Sequence, residues 1–240
     1  MKQTRCGNDS TKKWDFIWHI ALFALFLHGM RNFTLFTPLR RLALMASCLA
    51  LWGCTDMQPP HCIMPSDCTL HTGDVVFRRG SGLTSRTVIA LDEKGEYSHV
   101  GIVVDSAGVK MVVHAVPDEP DFEGDPDRVK MDTPEQFFSS VYAQMGEVCR
   151  PADSLAAQKA AEAALEVYHR HVLFDHSYDD TDTTRMYCTE LVVHAYHKAG
   201  VELVGAGKHY VDIPMLKVEC RFPSDILASD YLQSIYKFNN

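Results

Sequence analysis

From residue 72 onward the apolar positions change period several times, and each change predicts an element. Thr72-Gly73-Asp74 is a turn, and Val75-Val76-Phe77 starts a short strand. Within Ser81 to Leu91, Thr84, Val88 and Leu91 fall at helical spacing. Two β-branched runs follow, Tyr97 to Val104 and Val109 to Val116, around the turn residues Asp105-Ser106-Ala107-Gly108, a hairpin signature. A turn centred between Ser106 and Ala107 makes opposed residue numbers sum to 213. Val104, Ile102 and Val100 then face Val109, Met111 and Val113 on one apolar side. On the other side His99 stands directly opposite His114. A slip of one residue would scramble the apolar side, so the parity is well specified.

Further along, Thr133-Pro134 reads as the cap and first position of a helix, and Val141 to Arg150 as a strand. Ala152 to His171 is the clearest helix, opening at Asp153, with Leu155, Ala156, Leu165, Tyr168 and Val172 as its core stripe. Cys188, Leu191, Val192, Ala195 and Ala199 define a second helix that stops at Gly200, with Asp182, Thr183 or Thr184 as its cap. Ser224 or Asp225 caps a last short helix. Strands and helices in this order predict an α+β fold, a small antiparallel barrel-like sheet packed against helices. The cysteine helix is expected on the His99/His114 face.

The first 53 residues change the picture of the mature chain. Phe16 to Leu27 and Leu42 to Gly53 are apolar runs shorter than the roughly 20 residues of a membrane span. The second follows Arg31, Arg40 and Arg41 and ends in Leu51-Trp52-Gly53-Cys54, which resembles a bacterial lipoprotein signal, with Met30 as the true start and Cys54 as the lipidated residue. An uncleaved anchor over 16–53 is the alternative, and Ala46-Ser47-Cys48 is a competing cleavage site. Residues 54–71, with Pro59, Pro60 and Pro65, read as a tether, and 72–240 as one domain. From Cys54 on, 16 basic residues meet 29 acidic ones, a net charge of −13 that argues against nucleic-acid binding. Export would permit disulfides among Cys62, Cys68, Cys149, Cys188 and Cys220, one of which must stay unpaired. The spacings of His61, Cys62, Cys68 and His71, and of His194 and His197, imply no metal site, a Cys62–Cys68 disulfide or a disordered tether being the better reading of the first group.

Chemistry concentrates at Cys188. In the first turn of a helix, unpaired N–H groups and the dipole lower a thiol pKa from about 8.5 to roughly 3.5–7.5, and the same amides can hold an oxyanion. A buried inert cysteine is the competing reading. Glu190 reads as a support for the helix start, and Tyr97 as a candidate oxyanion donor.

The order Gly73-Asp74-Val75, Ser98-His99-Val100-Gly101-Ile102, Val113-His114-Ala115, Phe174-Asp175, Tyr187-Cys188-Thr189-Glu190-Leu191 and Phe222-Pro223-Ser224-Asp225-Ile226 resembles the permuted papain-like amidases of the NlpC superfamily, in particular YaeF/YiiX-like lipoproteins. The resemblance implies a permuted papain-like fold. It also implies Cys188 as nucleophile, His99 as general base and acid, and His114 as the residue that orients His99. Many permuted relatives carry a carboxylate at the His114 position. A thiol hydrolase in the cell envelope is implied, lipid-anchored at the outer membrane or the periplasmic face, acting on a cell-wall peptide or a lipid-like amide or ester through a thioester and without a cofactor. The alternative is a binding or scaffolding lipoprotein that has lost the chemistry.

Overall fold

The computed structural model describes residues 59–213 and 216–240. The signal region, its Cys54 and the start of the tether lie outside the described residues. Strands are β1 (Val75–Arg79), β2 (His99–Ser106), β3 (Val109–Val116), β4 (Arg128–Asp132), β5 (Met145–Pro151), β6 (Leu173–Phe174), β7 (Arg185–Met186), β8 (His209–Ile213), β9 (Leu216–Cys220) and β10 (Leu232–Asn239). Helices are α1 (Leu83–Leu91), α2 (Pro134–Phe137), α3 (Ser154–His169), α4 (Cys188–Lys198) and α5 (Pro223–Leu227). Eight strands form one sheet in the order β10-β5-β1-β2-β3-β4-β6-β7, antiparallel except for the β6–β7 pair, and β8–β9 is a separate hairpin. The α+β class is as expected, with a sheet larger than the sequence suggested.

The two faces of that sheet have different covers. Val75, Phe77, Val100, Ile102, Val104, Val113 and Ala115 face α3 and α4 in the main core. Val76, Val103, Val112 and Val148 face a smaller core completed by Phe137, Phe138, Ile63 and Leu70. Residues 61–63 are therefore no free tether. Cys62 bridges to Ser139, the Ile63 amide donates to the Phe138 carbonyl at 2.9 Å, and Ile63 and Leu70 are buried. All five cysteines from Cys62 on are free thiols.

The hairpin corrects the expected register by two residues. Ser106 pairs with Val109 and Ile102 with Val113, so the turn is the two residues Ala107 and Gly108, at φ 55° and 84°. Positive φ at both central positions is the type I′ geometry that matches strand twist. Asp105 Oδ1 accepts from the Gly108 amide at 2.8 Å. A shift of two preserves parity, so His99 and His114 still share a face, but diagonally. The ladder continued one step sets His114 across from Gly101. A Cβ there would lie 2.7 Å from Val112 Cγ1 and 3.2 Å from His114 Cβ, so the missing side chain is what gives His114 room. Gly101→Ala is expected to cost about 1–3 kcal/mol of stability through overpacking, with a larger fractional loss of activity than of folded protein. Paired denaturation and turnover measurements check this.

Helix α3 begins where expected, with Asp153 Oδ1 accepting from the Leu155 and Ala156 amides at 2.8 and 3.2 Å. Its buried stripe is Ala156, Ala157, Ala160, Ala161, Ala164 and Val167; of the expected residues Ala156 and Val172 are buried and Leu165 and Tyr168 pack against the core, while Leu155 is exposed. Small residues let α3 lie close against α4 and the sheet. Thr133 and Gln136 close a capping box at α2, with Pro134 in the first turn. At α5 the cap is Phe222, and Asp225 accepts from its amide at 2.8 Å from inside the helix.

Candidate active site

Helix α4 starts at Cys188, with Tyr187 as its N-cap in extended conformation. Asp182 instead serves its own turn, accepting from the Thr184 amide at 2.7 Å. Glu190 accepts from the Tyr187 amide at 3.3 Å, the structural role expected of it. The body of α4 packs on the Val100/Ile102 face through Leu191, Val192 and Ala195, not on the histidine face. An apolar stripe seeks the apolar side of the sheet, and that overrides the expected docking. Only the first residue of α4, Cys188, shares a cavity with His99. The Val100 amide, next in the chain to His99, and the Thr189 amide favour the Cys188 thiolate.

On the histidine face a polar row crosses four neighbouring strands. Arg78 on β1 pairs in register with His99 on β2. His99 Nε2 is 2.9 Å from His114 Nδ1 on β3, and His114 Nε2 is 3.1 Å from Asp132 Oδ2 on β4. Lys130, paired with His114 in register, reaches the other Asp132 oxygen at 3.3 Å. Phe137 packs edge-on against His114, with ring centroids 5.1 Å apart. His114 is fully buried and His99 is 7% exposed, so this relay is shielded from bulk water.

The hydrogen-bond order fixes where the protons sit. As a carboxylate, Asp132 only accepts, so His114 Nε2 carries the proton. His114 Nδ1 must then accept from the Nε2–H of His99. That leaves an unprotonated Nδ1 on His99, the nitrogen not tied into the relay.

Electrostatics agree with neutral rings. Burial lowers His99 well below the ordinary imidazole value, helped by the Arg78 guanidinium and then by His114. Burial also lowers His114, against the opposing pull of Asp132. For Asp132, burial raises the pKa, but the hydrogen bonds and charges of His114 and Lys130 outweigh it and the net shift is downward. Burial pushes the Cys188 thiol up to about 11, despite the amides and Arg78 that favour the thiolate. The depressed value expected from helix position alone is thus corrected, because desolvation outweighs the N-terminal amides. Cys188 rests as a thiol beside a neutral imidazole.

Cys188, His99, Arg78, Glu119, Ser98 and Tyr178 line one cavity of about 420 Å³. Arg78 is nearly fully buried, donates to the Phe137 carbonyl at 2.9 Å, stacks on the Phe137 ring at 4.7 Å and pairs with Glu119. Glu119 belongs to the acidic stretch Pro117–Asp127, which is fastened to β4 where Arg128 meets Asp121 and Asp125 and Lys130 meets Asp121. Tyr178 on the cavity wall has φ 54°, an uncommon conformation for a bulky residue.

His99 and His114 are thus hydrogen-bonded to each other, and Cys188 shares a cavity with His99. Tyr97 is not part of this group, since its hydroxyl donates to Glu147 at 2.7 Å inside the main core, among Phe77 and Cys149. Asp132 and Arg78 were missed, although Arg128, Lys130 and Asp132 alternate with Val129 and Met131 at the period of a strand. Among the described residues no group of three or more His, Cys, Asp or Glu side chains is arranged to hold a metal ion. His197 pairs with Glu202 at the surface, and His61 with Asn240.

The crystal structure of the metalloprotein yiiX from Escherichia coli O157:H7 is similar to this chain. Its identity is 19% and its TM-score 0.52, over 70% of this chain and 97% of that one. At that identity the likeness concerns the fold. No curated protein matches the chain. The sequence profile of the permuted papain-like amidase enzymes, YaeF/YiiX, C92 family, matches residues 69–236. A match over most of the chain, joined to this fold, makes it a member of the YaeF/YiiX family of permuted papain-like amidases, hydrolases of the cysteine-peptidase type.

Proposed function

We propose that the protein is a thiol hydrolase in which Cys188 forms a thioester with the acyl group of an amide or ester. The observation that carries this reading is the unbroken relay from Asp132 through His114 to His99, whose last member lines the same cavity as Cys188. The thiol proton passes to His99 Nδ1 as sulfur bonds to the carbonyl carbon. The carbonyl oxygen gains charge, for which the amides at the start of α4 serve as donors in place of Tyr97. His99 then gives the proton to the departing nitrogen or oxygen as that bond breaks. Water attacks the thioester, and its proton returns through His99 to the sulfur. His114 and Asp132 keep the imidazole in the tautomer that begins the cycle. In the cell the protein is taken as an exported lipoprotein tethered through Cys54, in accord with its amino-terminal sequence.

Because both imidazoles resist protonation, the acid limb of kcat/KM is expected below the ordinary histidine value of 6.5. Stability follows the same sign. Between the folded and unfolded pKa values the unfolded chain binds more protons, so stability is full above about 6.5 and is lost as pH falls through the folded values. The test combines a pH profile with intact-mass trapping of an acyl adduct on Cys188 from an activated ester. A profile whose acid limb lies above that value, or an adduct on another residue, would contradict the mechanism.

A further inference from the structure

A neutral His114 leaves the charge of Asp132 to be balanced from elsewhere. Asp132 is buried, with its Oδ2 toward His114 and its Oδ1 toward Lys130. Among the described residues Lys130 is the one lysine or arginine that pairs with it. The Lys130 side chain is itself only 8% exposed. An ammonium has three N–H donors and no acceptor. Three oxygens surround this one: Asp132 Oδ1 at 3.3 Å, Asp121 Oδ1 at 2.5 Å and the Glu119 carbonyl at 3.2 Å. Two of the three come from the acidic loop Pro117–Asp127. Burial alone would lower the Lys130 pKa, but Asp121 and Asp132 outweigh it and the net shift is upward. Beyond Asp121 the alternation of sign continues through Arg128 to Asp125, with both pairs at 2.8 Å. A line of ion pairs thus runs from the exposed loop to the last carboxylate of the relay.

Without a cation beside it, a buried carboxylate must gain a proton or draw one onto its neighbour. A protonated Asp132 donates to His114 Nε2, so His114 carries its proton on Nδ1 and donates to His99. A proton drawn onto His114 makes an imidazolium, which donates from Nδ1 in the same way. Either outcome sets the His99 proton on Nδ1, the nitrogen that must be bare to receive the thiol proton. We propose that Lys130 is a positioning residue of the hydrolase reaction: it keeps Asp132 ionised beside a neutral His114, and the acidic loop holds it there. This rests on the relay of the thiol-hydrolase reading above. The other charged or titratable groups facing His114 and Asp132 are His99 on β2, Arg78 on β1 and Glu119 on the loop, while α2 brings the Phe137 ring. Arg78 and Glu119 pair with each other, so neither replaces Lys130.

The test measures p-nitrophenyl acetate turnover and imidazole nitrogen-15 shifts in the full-length protein, with Cys188→Ala subtracted as background. Lys130→Met is expected to lower kcat by about 10²-fold, the lower end of what a positioned base contributes, with KM unchanged. Its acid limb of kcat/KM is expected to move up in pH, because the proton gained by Asp132 or His114 must first be lost. Its His99 is expected to carry the proton on Nδ1. Lys130→Arg keeps the charge and is expected to restore the wild-type acid limb and tautomer. Lys130→Gln repeats the loss of charge with a hydrogen-bonding side chain, and thermal melts identify which neutral variant is folded. Asp121→Asn loosens the loop without removing the cation, and is expected to keep the wild-type tautomers. Neutral Lys130 variants that behave as Asp121→Asn does, less stable but with wild-type tautomers and acid limb, would overturn the proposal and leave the hydrolase standing. Absence of Cys188-dependent turnover in the wild type would instead remove the hydrolase reading, and the role of Lys130 with it.

Discussion

Cys188→Ala is expected to lower turnover by at least about 10⁴-fold, with residual activity no greater than the binding cavity alone provides. The sulfur is the one nucleophile at the head of α4, and a methyl group there forms no bond to a carbonyl. His99→Ala should fall to a similar level, because a thiol held near 11 yields almost no thiolate at neutral pH without a base beside it. His114→Ala is expected to retain more activity, since a neutral His99 still accepts a proton, though in a poorly fixed orientation. Cys62→Ala, on the opposite side of the sheet from α4, serves as the control and should keep wild-type turnover. Steady-state rates with adduct mass spectrometry separate these outcomes. Wild-type turnover in Cys188→Ala would end the nucleophile assignment.

Asp132→Asn is expected to cost about 10²–10⁴-fold in kcat while leaving the fold intact. The change preserves shape and reverses a hydrogen bond. An amide NH2 turned toward His114 Nε2 makes that nitrogen an acceptor, so His114 carries its proton on Nδ1 and donates to His99 Nε2. The proton of His99 then moves to Nδ1, where it occupies the position that must receive the thiol proton. A purely structural role for Asp132 predicts altered stability with unchanged tautomers. Nitrogen-15 shifts of the two imidazoles distinguish the cases, since only the relay predicts that both rings exchange their protonated and bare nitrogens. An Asn variant with full kcat, or with wild-type tautomers, would disprove the positioning role.

How much of this was legible in the sequence depends on whether a local period or a distant partner decides each feature. The parity of the hairpin was readable, because an odd slip would bury Lys110 and expose Ile102. Its exact register was not, because a shift of two keeps every residue on its face. Only the demand for positive φ at Ala107 and Gly108 selects between the two. The place of Cys188 in the first turn of α4 followed from helical spacing, although the cap is Tyr187 and not Asp182, Thr183 or Thr184, and the face on which α4 docks depended on where the sheet put its apolar side. Asp132 escaped notice because charges alternating along a strand look like a solvent face. Phe137 and Phe138, from the short helix that follows β4, and the chain around Ile63, from ahead of the turn that begins the domain, cover that face. The thiol pKa was misjudged for a related reason, since helix position is local and desolvation is collective.

The pairing of His61 with Asn240, 3.0 Å apart, has a consequence for the order in which the chain supplies its reacting groups. Those two residues lie 179 positions apart, yet a peptide-length link would join them. The exposed stretch from Thr181 to Thr184, just ahead of α4, is where such a ring opens with least disturbance to buried contacts. A chain rewired in that way delivers the sulfur first and the imidazoles afterwards, the reverse of the present sequence, with the same strands adjacent and the same atoms in reach. Linear order along the polymer is thus separable from the spatial arrangement that governs the chemistry.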